Sequence, residues 1–211
     1  MPRRKPLGAT SHSRPARYRS IVAAWRNLED SDSSVPRQAW RYPILRSSAF
    51  HENGRVLFKQ VAVADIEGLR RFLGEVDLTL SGLDAPTVKL WTEHDPDGSI
   101  IGSTGYELSP NGTHALIRSV AVAPGRRAAG AGSRLAMFAI SDAARSGASH
   151  AWLFSRRSGP FWQKLGFEPA DRDEMAAVLA QTHQVRLFTE TGQLRHEVAW
   201  SRRLELHQAV R

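Results

Sequence analysis

Hydrophobic residues alternate between strand-like and helix-like spacings along most of the chain, beginning near residue 55. The segment "RVLFKQVAV", Arg55 to Val63, is rich in β-forming residues and predicts a first strand. Asp65 then stands at an N-cap position before apolar residues at helical spacing, and Gly74 provides a C-terminal stop. The apolar residues of this predicted helix are Ile66, Leu69, Phe72 and Leu73.

The next segments predict three antiparallel strands joined by short turns. The segments "TVKLWTEH" and "SIIGSTGYEL" flank "DPDG", Asp95 to Gly98, a pattern typical of a hairpin. The third strand, "THALIRSVAV", follows the turn "SPNG", Ser109 to Gly112. Beyond it, Leu135 and Phe138 mark one face of a helix that Gly147 ends.

The C-terminal third continues this alternation. "HAWLFS", His150 to Ser155, predicts a short buried strand, and "GPFWQKLGF" predicts one helical turn from Pro160 to Gly166. "DRDEMAAVLAQT" predicts a helix, and "VRLFTETGQLRHEVAWSRRL" predicts a strand, a turn and a strand. The order of elements indicates a single α/β domain with a mixed sheet.

The turn "PGRRAAGAGSRL", Pro124 to Leu135, joins the third strand to the helix and is a candidate anion site. Backbone N–H groups at a helix start have no helical partner, and the helix dipole favours negative charge there. A P-loop is excluded because Ala131 and Gly132 stand where Lys and Ser or Thr are required. A dinucleotide fingerprint is disfavoured because Leu135 replaces its third glycine.

Two motifs together resemble one family. Arg127 to Gly132 read R-x-x-G-x-G directly after "SVAVAP", and "GPFWQKLGF" resembles an F-Y-x-x-x-G-F segment. In this element order the chain resembles the GCN5-related N-acetyltransferase (GNAT) family from about Val56 to Phe188. The resemblance implies a mixed, mostly antiparallel sheet flanked by helices, with acetyl-CoA as cosubstrate. A weaker resemblance, carried by "LIRSVAV" and "LGFEPADR…AAVLAQTHQ", is to small bacterial N-acetyltransferases associated with arsenic resistance.

The family resemblance implies a set of CoA-binding residues around the glycine turn. The glycines permit close approach of the backbone, whose N–H groups donate to the pyrophosphate. Backbone N–H groups near Val120 are also implied to contact the thioester carbonyl, which gives Val120 a catalytic role. The implied CoA-binding residues are Val120, Val122, Arg127, Ala128, Gly130, Ala131, Gly132, Ser133 and Phe161.

The sequence also contains candidates for acid–base chemistry. Glu107 ends the strand beside the motif strand and is a candidate catalytic base, with a solvated carboxylate at a strand end as the alternative. Trp162 stands where many family members have Tyr, and an indole cannot supply a phenolic proton. Three other sources could protonate the leaving thiolate: Tyr106, a water molecule, or the ammonium formed by the attacking amine.

Arg118 interrupts the apolar run "ALIRSVAV". Simple strand alternation places it on one face with Leu116, Val120 and Val122, so it lies either at a sheet edge or in a cleft. The first alternative is a solvent-facing arginine. In the second, Arg118 binds substrate through a carboxylate of the acceptor.

Charge and composition limit the function classes. The net charge is +8, yet the seven basic residues before Glu29 stand without any acid and account for most of it. We therefore expect residues 1–50 to be a basic, disordered or loosely docked arm and residues 51–211 to be the GNAT domain. No apolar run approaches the length of a membrane span, and no signal-peptide pattern is present, so a soluble, cytoplasmic protein is expected.

The family resemblance implies acetyl-CoA-dependent transfer of an acetyl group to an amine, and an Arg118 that binds a carboxylate favours a small acceptor such as an amino acid. The chain has no cysteine, and its eight histidines form no ligand spacing, so no metal is expected. Two alternatives stay open: a catalytically inactive CoA-binding module, or a basic-armed protein that binds nucleic acid. Through its arm alone the chain would bind nucleic acid nonspecifically. A homodimer also stays open.

Overall fold

In the computed structural model, a seven-stranded mixed sheet is the centre of the described residues, 58–127 and 130–205. The strand order across the sheet is β1-β2-β3-β4-β5-β7-β6. Neighbouring strands are antiparallel except β4 and β5, which are parallel. The strands are β1 (Lys59–Gln60), β2 (Val88–His94), β3 (Ile100–Leu108), β4 (His114–Val122), β5 (His150–Phe154), β6 (Glu168–Ala170) and β7 (Ala199–Arg203).

Helices cover both faces of this sheet, as the alternation of strand and helix patterns predicts. Single 3₁₀ turns precede the first two helices and the last strand. The helices are α1 (Ile66–Glu75), α2 (Ala131–Arg145), α3 (Gly159–Lys164), α4 (Arg172–Val178) and α5 (His183–Glu190).

Helix α2 packs on one face through a stripe of buried residues. Their spacing of three and four residues brings them onto one side of the helix, where they contact Tyr106, Ile117 and Leu153 of the sheet. The stripe consists of Leu135, Ala136, Ala139, Ile140 and Ala143. Small alanine side chains let this helix lie close against the strands, and this fixes where its N-terminus stands.

The opposite face carries two further apolar clusters. Helix α1 buries Leu69 and Leu73 against Leu90 of β2. Helices α4 and α5 cover Leu116 and Trp152, which are neighbours on β4 and β5. Between these two clusters lies the polar group of side chains described below.

Most of the predicted element order is confirmed. The turn at Asp95–Gly98 closes the predicted hairpin: Gly98 has a φ of 86°, and its N–H donates to the Asp95 carbonyl at 2.9 Å. The first strand is shorter than predicted, since only Lys59–Gln60 pair with β2 and residues before 58 lie outside the described chain. Asp65 precedes α1, but its carboxylate accepts from the Ala62 N–H rather than capping that helix.

One predicted strand is wrong. The segment beginning at Val185 is helix α5, and only the last part of that region, β7, is a strand. Val185 and Phe188 are buried three residues apart, which is helical spacing, whereas a strand would place Val185 and Leu187 on one face. Strand β6 was not predicted, because its three residues are too short for a periodic pattern.

The predicted arm, residues 1–50, lies outside the described residues. In the part of the chain that the structure describes, no helix is long and apolar enough to cross a membrane.

Candidate active site

Strand β4 has a bulge at Ser119. Thr104 of β3 faces two residues of β4, Ser119 and Val120, because the pairing register shifts at this point. Ser119 has a φ of 56°, a left-handed conformation that is uncommon for a residue other than glycine. The Ser103 hydroxyl donates to the Ser119 carbonyl at 2.7 Å and holds the bulge in place.

Because of the bulge, Val120 and Val122 lie on the opposite face of the sheet from Arg118. Val120 packs into the core beneath α2, and Val122 pairs with Gly102, where an added Cβ would lie 3.0 Å from Leu135 of α2. Arg118 instead donates to a carbonyl in the loop between α1 and β2, on the opposite face. The expectation that Arg118 shares a face with Val120 and Val122 is therefore wrong, and β4 is a central strand rather than an edge.

The sheet opens beside this bulge. Strands β4 and β5 pair over three positions only, and the last pair is Leu116 with Trp152. Beyond it, β5 stays paired with β7 as far as Phe154. The two parallel strands therefore separate where β4 approaches the bulge and the start of α2.

The glycine turn places free backbone donors at the start of α2. Gly130 is the N-cap with a φ of 80°, and the first helical bond runs from the Arg134 N–H to its carbonyl at 2.9 Å. Ala131, Gly132 and Ser133 are thus the first three helical residues, and their N–H groups have no partner within the helix. Ala128 lies outside the described residues.

Gly132 joins the two sequence motifs in space. A Cβ built on Gly132 would lie 3.6 Å from the Phe161 ring at the start of α3. The structure therefore brings together two of the predicted CoA-binding residues that are far apart in sequence. An aromatic ring beside bare backbone N–H groups can accommodate an apolar chain that carries a charged end.

The basic residues of the turn are not simply solvated. Arg126 pairs with Asp95, and Arg134 Nη2 contacts both carboxylate oxygens of Glu93 at 3.0 and 3.1 Å. These pairs attach the β2–β3 hairpin to the turn. Arg127 is half-buried, and burial lowers the pKa of its guanidinium.

Glu107 is buried rather than solvated at a strand end. Only 1% of the residue is exposed. Its Oε1 lies 2.7 Å from His183 Nδ1 and accepts from Thr87 Oγ1 at 3.2 Å. Its Oε2 accepts from the His183 N–H at 3.0 Å and lies 3.5 Å from Arg118 Nη1. His183 was not among the sequence-based candidates, since the contact joins residues 76 positions apart.

Unpartnered polar atoms concentrate at the bulge. Arg118 Nη2 donates to the Ser81 carbonyl, but Nε and Nη1 have no hydrogen-bond partner in the described part of the chain. The buried hydroxyl of Ser119 also has none there. Burial lowers the pKa of Arg118, and the Glu107 carboxylate opposes this effect. Buried donors of this kind are costly unless a ligand satisfies them.

Tyr106 and Trp162 are both buried in the hydrophobic core. The Tyr106 hydroxyl donates to Asp142 Oδ2 at 2.8 Å, near the C-terminal end of α2, and burial raises the pKa of this hydroxyl. Because a helix rises about 1.5 Å per residue, this hydroxyl is distant from the glycine turn. Trp162 packs in the core against Phe161 and Phe167.

The described residues, 58–127 and 130–205, contain no set of side chains that could bind a metal ion. No group of three or more His, Asp or Glu side chains there is arranged to hold a metal ion. The described site consists of backbone donors, an aromatic ring, a buried carboxylate and guanidinium, and a partly exposed imidazole beside them. Such groups can bind an anionic cosubstrate, stabilise an oxyanion and move a proton.

Comparison with known proteins agrees with this geometry. Residues 64–167 match the family model described as the acetyltransferase (GNAT) family. The chain therefore contains a GNAT-family N-acyltransferase domain over these residues. No curated protein sequence matches it significantly.

Solved structures share the fold at low identity. A Staphylococcus aureus GNAT acetyltransferase is 13% identical, with a TM-score of 0.58 over 72% of this chain and 100% of its own. A Mycobacterium tuberculosis protein solved with CoA is 15% identical, with a TM-score of 0.56 over 71% of this chain and 99% of its own.

A third similar structure is N-acetylglutamate synthase from Neisseria gonorrhoeae, solved with coenzyme A and N-acetyl-glutamate. It is 22% identical, with a TM-score of 0.56 over 73% of this chain. This chain spans 36% of the length of that protein.

Proposed function

We propose that this protein transfers the acetyl group of acetyl-CoA directly to the amine of a small acceptor that also carries an acidic group, such as an amino acid. The observation that carries the proposal is a pair of buried donors, Arg118 Nε and the Ser119 hydroxyl, that have no hydrogen-bond partner among the described residues. They lie beside the opening between β4 and β5, so a bound anionic acceptor would satisfy them.

The residues at the start of α2 fit the pyrophosphate of acetyl-CoA. Gly130 has the left-handed conformation that glycine adopts without strain, and the first-turn N–H groups of Ala131, Gly132 and Ser133 have no helical partner. Arg127 adds positive charge, and we assign Ala128 to the same turn. Phe161 covers the turn from α3.

The bulged part of β4 fits the reacting end of acetyl-CoA. We assign backbone N–H groups near Val120 and Val122 to the thioester carbonyl and the adjoining chain, because the bulge interrupts the pairing of Val120 with β3 and β4 has no paired residue on β5 beyond Leu116. Donors fixed in advance where negative charge develops lower the barrier without reorganising during the reaction. Val120 therefore acts through its backbone, while its side chain remains in the core.

The reaction needs no nucleophile from the protein. The acceptor ammonium first loses one proton, and the neutral amine attacks the thioester carbon. The carbon–sulfur bond then breaks, and the second proton on nitrogen passes to the leaving thiolate, so CoA departs as a thiol. Because a proton shift within the intermediate suffices, the replacement of Tyr by Trp162 does not block this route.

Arg118 is the group that recognises the acidic part of the acceptor. Its planar guanidinium presents N–H donors in fixed directions, and Nε remains without a partner among the described residues. Lysine keeps the charge but loses this geometry. Arg118→Lys should therefore raise KM for an acidic amine at least tenfold and leave KM for acetyl-CoA within twofold.

The test is release of CoA thiol, measured with DTNB over the standard L-amino acids and matched amines without a carboxylate. Acetylated product is identified by mass spectrometry. Arg203→Lys, at the exposed last residue of β7, is the matched control. A preference for amines without an anionic group, or an acceptor KM untouched by Arg118→Lys, would contradict the proposed substrate.

A second activity, nonspecific binding of nucleic acid, is favoured by the basic residues before Glu29. Removing residues 1–50 should weaken salt-dependent binding to DNA and leave kcat/KM nearly unchanged. Loss of transfer activity in the folded truncated protein would place the arm in the active site. Binding of CoA without transfer to any amine would instead support an inactive CoA-binding module.

A further inference from the structure

We propose that His183 is the catalytic base that accepts the proton of the acceptor ammonium, and that Glu107 is a positioning residue that holds the His183 ring. This inference rests on the proposed function. The base is then His183 rather than Glu107, the candidate that the sequence favoured by its position at a strand end. The two residues are 76 positions apart in the chain.

Glu107 has no open side for a substrate. His183 provides two contacts to its carboxylate, Thr87 donates to it at 3.2 Å, and Arg118 lies 3.5 Å away. A base must come within hydrogen-bond distance of the proton that it removes, and Glu107 cannot do so without losing these partners.

The His183 ring has the complementary arrangement. About a third of its side chain, 35%, is exposed, and Nδ1 lies 2.7 Å from Glu107 Oε1. A carboxylate beside Nδ1 selects the neutral tautomer that has its proton on Nδ1, so Nε2 has a free lone pair. No described residue hydrogen-bonds Nε2. A carboxylate that orients an imidazole in this way also stabilises the imidazolium that forms.

The ring is held on its second side by Gly82. A Cβ at Gly82 would lie 2.4 Å from His183 Cγ, and Gly82 has a φ of 65°. Only glycine both adopts this conformation without strain and leaves room for the imidazole. The loop before β2 and strand β3 therefore fix the ring from two directions.

The position of His183 relative to the opening of the sheet supports the role. Glu107 pairs across β3 and β4 with Leu116, and Leu116 forms the last pair between β4 and β5. Arg118 lies two residues further, at the bulge. Because His183 and Arg118 contact the same carboxylate, at 2.7 and 3.5 Å, they lie close enough to meet the amine and the acid of one small acceptor.

Few charged groups face the ring. Strand β3 contributes Glu107, and β4 contributes Arg118 through that carboxylate. The loop before β2 contributes the backbone of Gly82 beside the ring and the Ser81 hydroxyl, which donates to the His183 carbonyl at 3.0 Å. In the proposed step, the acceptor N–H bond breaks, Nε2 takes the proton and the nitrogen keeps the electron pair. The imidazolium afterwards returns this proton to water.

The first test is the pH dependence of kcat/KM for the best amino acid found with the DTNB assay. His183→Gln should lower kcat at pH 7 about 100-fold and remove the fall in rate on the acidic side, because a glutamine cannot take a proton. Its Kd for acetyl-CoA should stay within twofold of the wild-type value. His196→Gln, at an exposed histidine on the last 3₁₀ turn, should match the wild type.

A second set of measurements tests the inference if His183→Gln does not fold. Glu107→Gln keeps the shape of the side chain and should lower kcat about tenfold. In ¹⁵N NMR spectra of the wild-type protein, His183 should carry its proton on Nδ1, and Glu107→Gln should reduce that preference. His183→Ala should regain activity with added imidazole, which a purely structural histidine would not allow.

The outcomes separate the inference from the proposed function. If the wild-type protein transfers acetyl groups but His183→Gln keeps the acidic limb, or if NMR places the proton on Nε2, the inference is wrong and the function stands. If the wild-type protein acetylates no amino acid in the panel, the proposed function is contradicted and the inference falls with it.

Discussion

Arg118 and Glu107 lie side by side on one face of the sheet, with Arg118 Nη1 3.5 Å from Glu107 Oε2 and both side chains at most 2% exposed. Removing one partner of a buried pair leaves a charge without compensation. Arg118→Met should therefore lower the free energy of unfolding by about 3–5 kcal/mol, measured by urea denaturation.

The double variant tests whether this loss comes from the pair. Adding Glu107→Gln to Arg118→Met removes the uncompensated charge and should recover part of the lost stability. Additive losses in the two single variants and the double variant would show that the two side chains do not interact energetically.

Tyr106 provides a test of the proton route. Tyr106→Phe removes the hydroxyl that donates to Asp142, so the free energy of unfolding should fall by about 1 kcal/mol. Because that hydroxyl lies near the C-terminal end of α2, kcat for acetyl transfer should not change. A tenfold or larger loss of kcat in the folded variant would show that Tyr106 acts as an acid in the reaction.

The stability of the fold should depend on pH through His114. Burial, followed by the nearby His150, lowers the pKa of His114 below its ordinary value of 6.5, although Glu174 opposes the shift. Its Nδ1 accepts from Trp152 Nε1 at 2.9 Å, and a proton on that nitrogen would break the bond. The folded state thus binds fewer protons than the unfolded state, and stability should fall as pH decreases below 6.5.

Urea denaturation at pH 7.5 and pH 5.5 measures this effect. His114→Gln should reduce the difference between the two pH values, because a glutamine oxygen accepts from Trp152 in either condition. His196→Gln, at an exposed position, should leave the difference as it is in the wild type. The same difference in His114→Gln as in the wild type would show that another group causes the dependence.

The sequence was sufficient for the element order as far as α3 and for the glycine turn, because both depend on local patterns. Periodicity identifies α2, and the positive φ of Gly130 is what a glycine after a strand and before a helix predicts. Helix α5 was misread because Val185 fits a strand with Leu187 and a helix with Phe188, and only packing against the sheet decides between them.

The arrangement of polar groups could not be read from the sequence. Ser119 has a positive φ without being glycine, so nothing in the local sequence marks the bulge that separates Arg118 from Val120. The contact of His183 with Glu107 depends on how α5 docks on β3, and no local pattern specifies that docking. Tertiary pairing therefore decides which candidates share a site.

Gly132 offers the most direct test of the central claim, that acetyl-CoA binds at the start of α2. A Cβ there would meet the Phe161 ring at an ordinary 3.6 Å, so Gly132→Val should fold while its branched side chain fills the space before the N–H groups. Gly74→Val, at an exposed glycine of α1 with open space around it, is the matched control.

The measurement is the shift in Tm that acetyl-CoA produces in the three proteins. At a hundredfold excess over Kd, binding stabilises the native state by about 2.7 kcal/mol, which corresponds to roughly 5–10 °C for a protein of this size. We expect this shift in the wild type and in Gly74→Val, and its loss in Gly132→Val. An equal shift in Gly132→Val, or none in the wild type, would contradict the account.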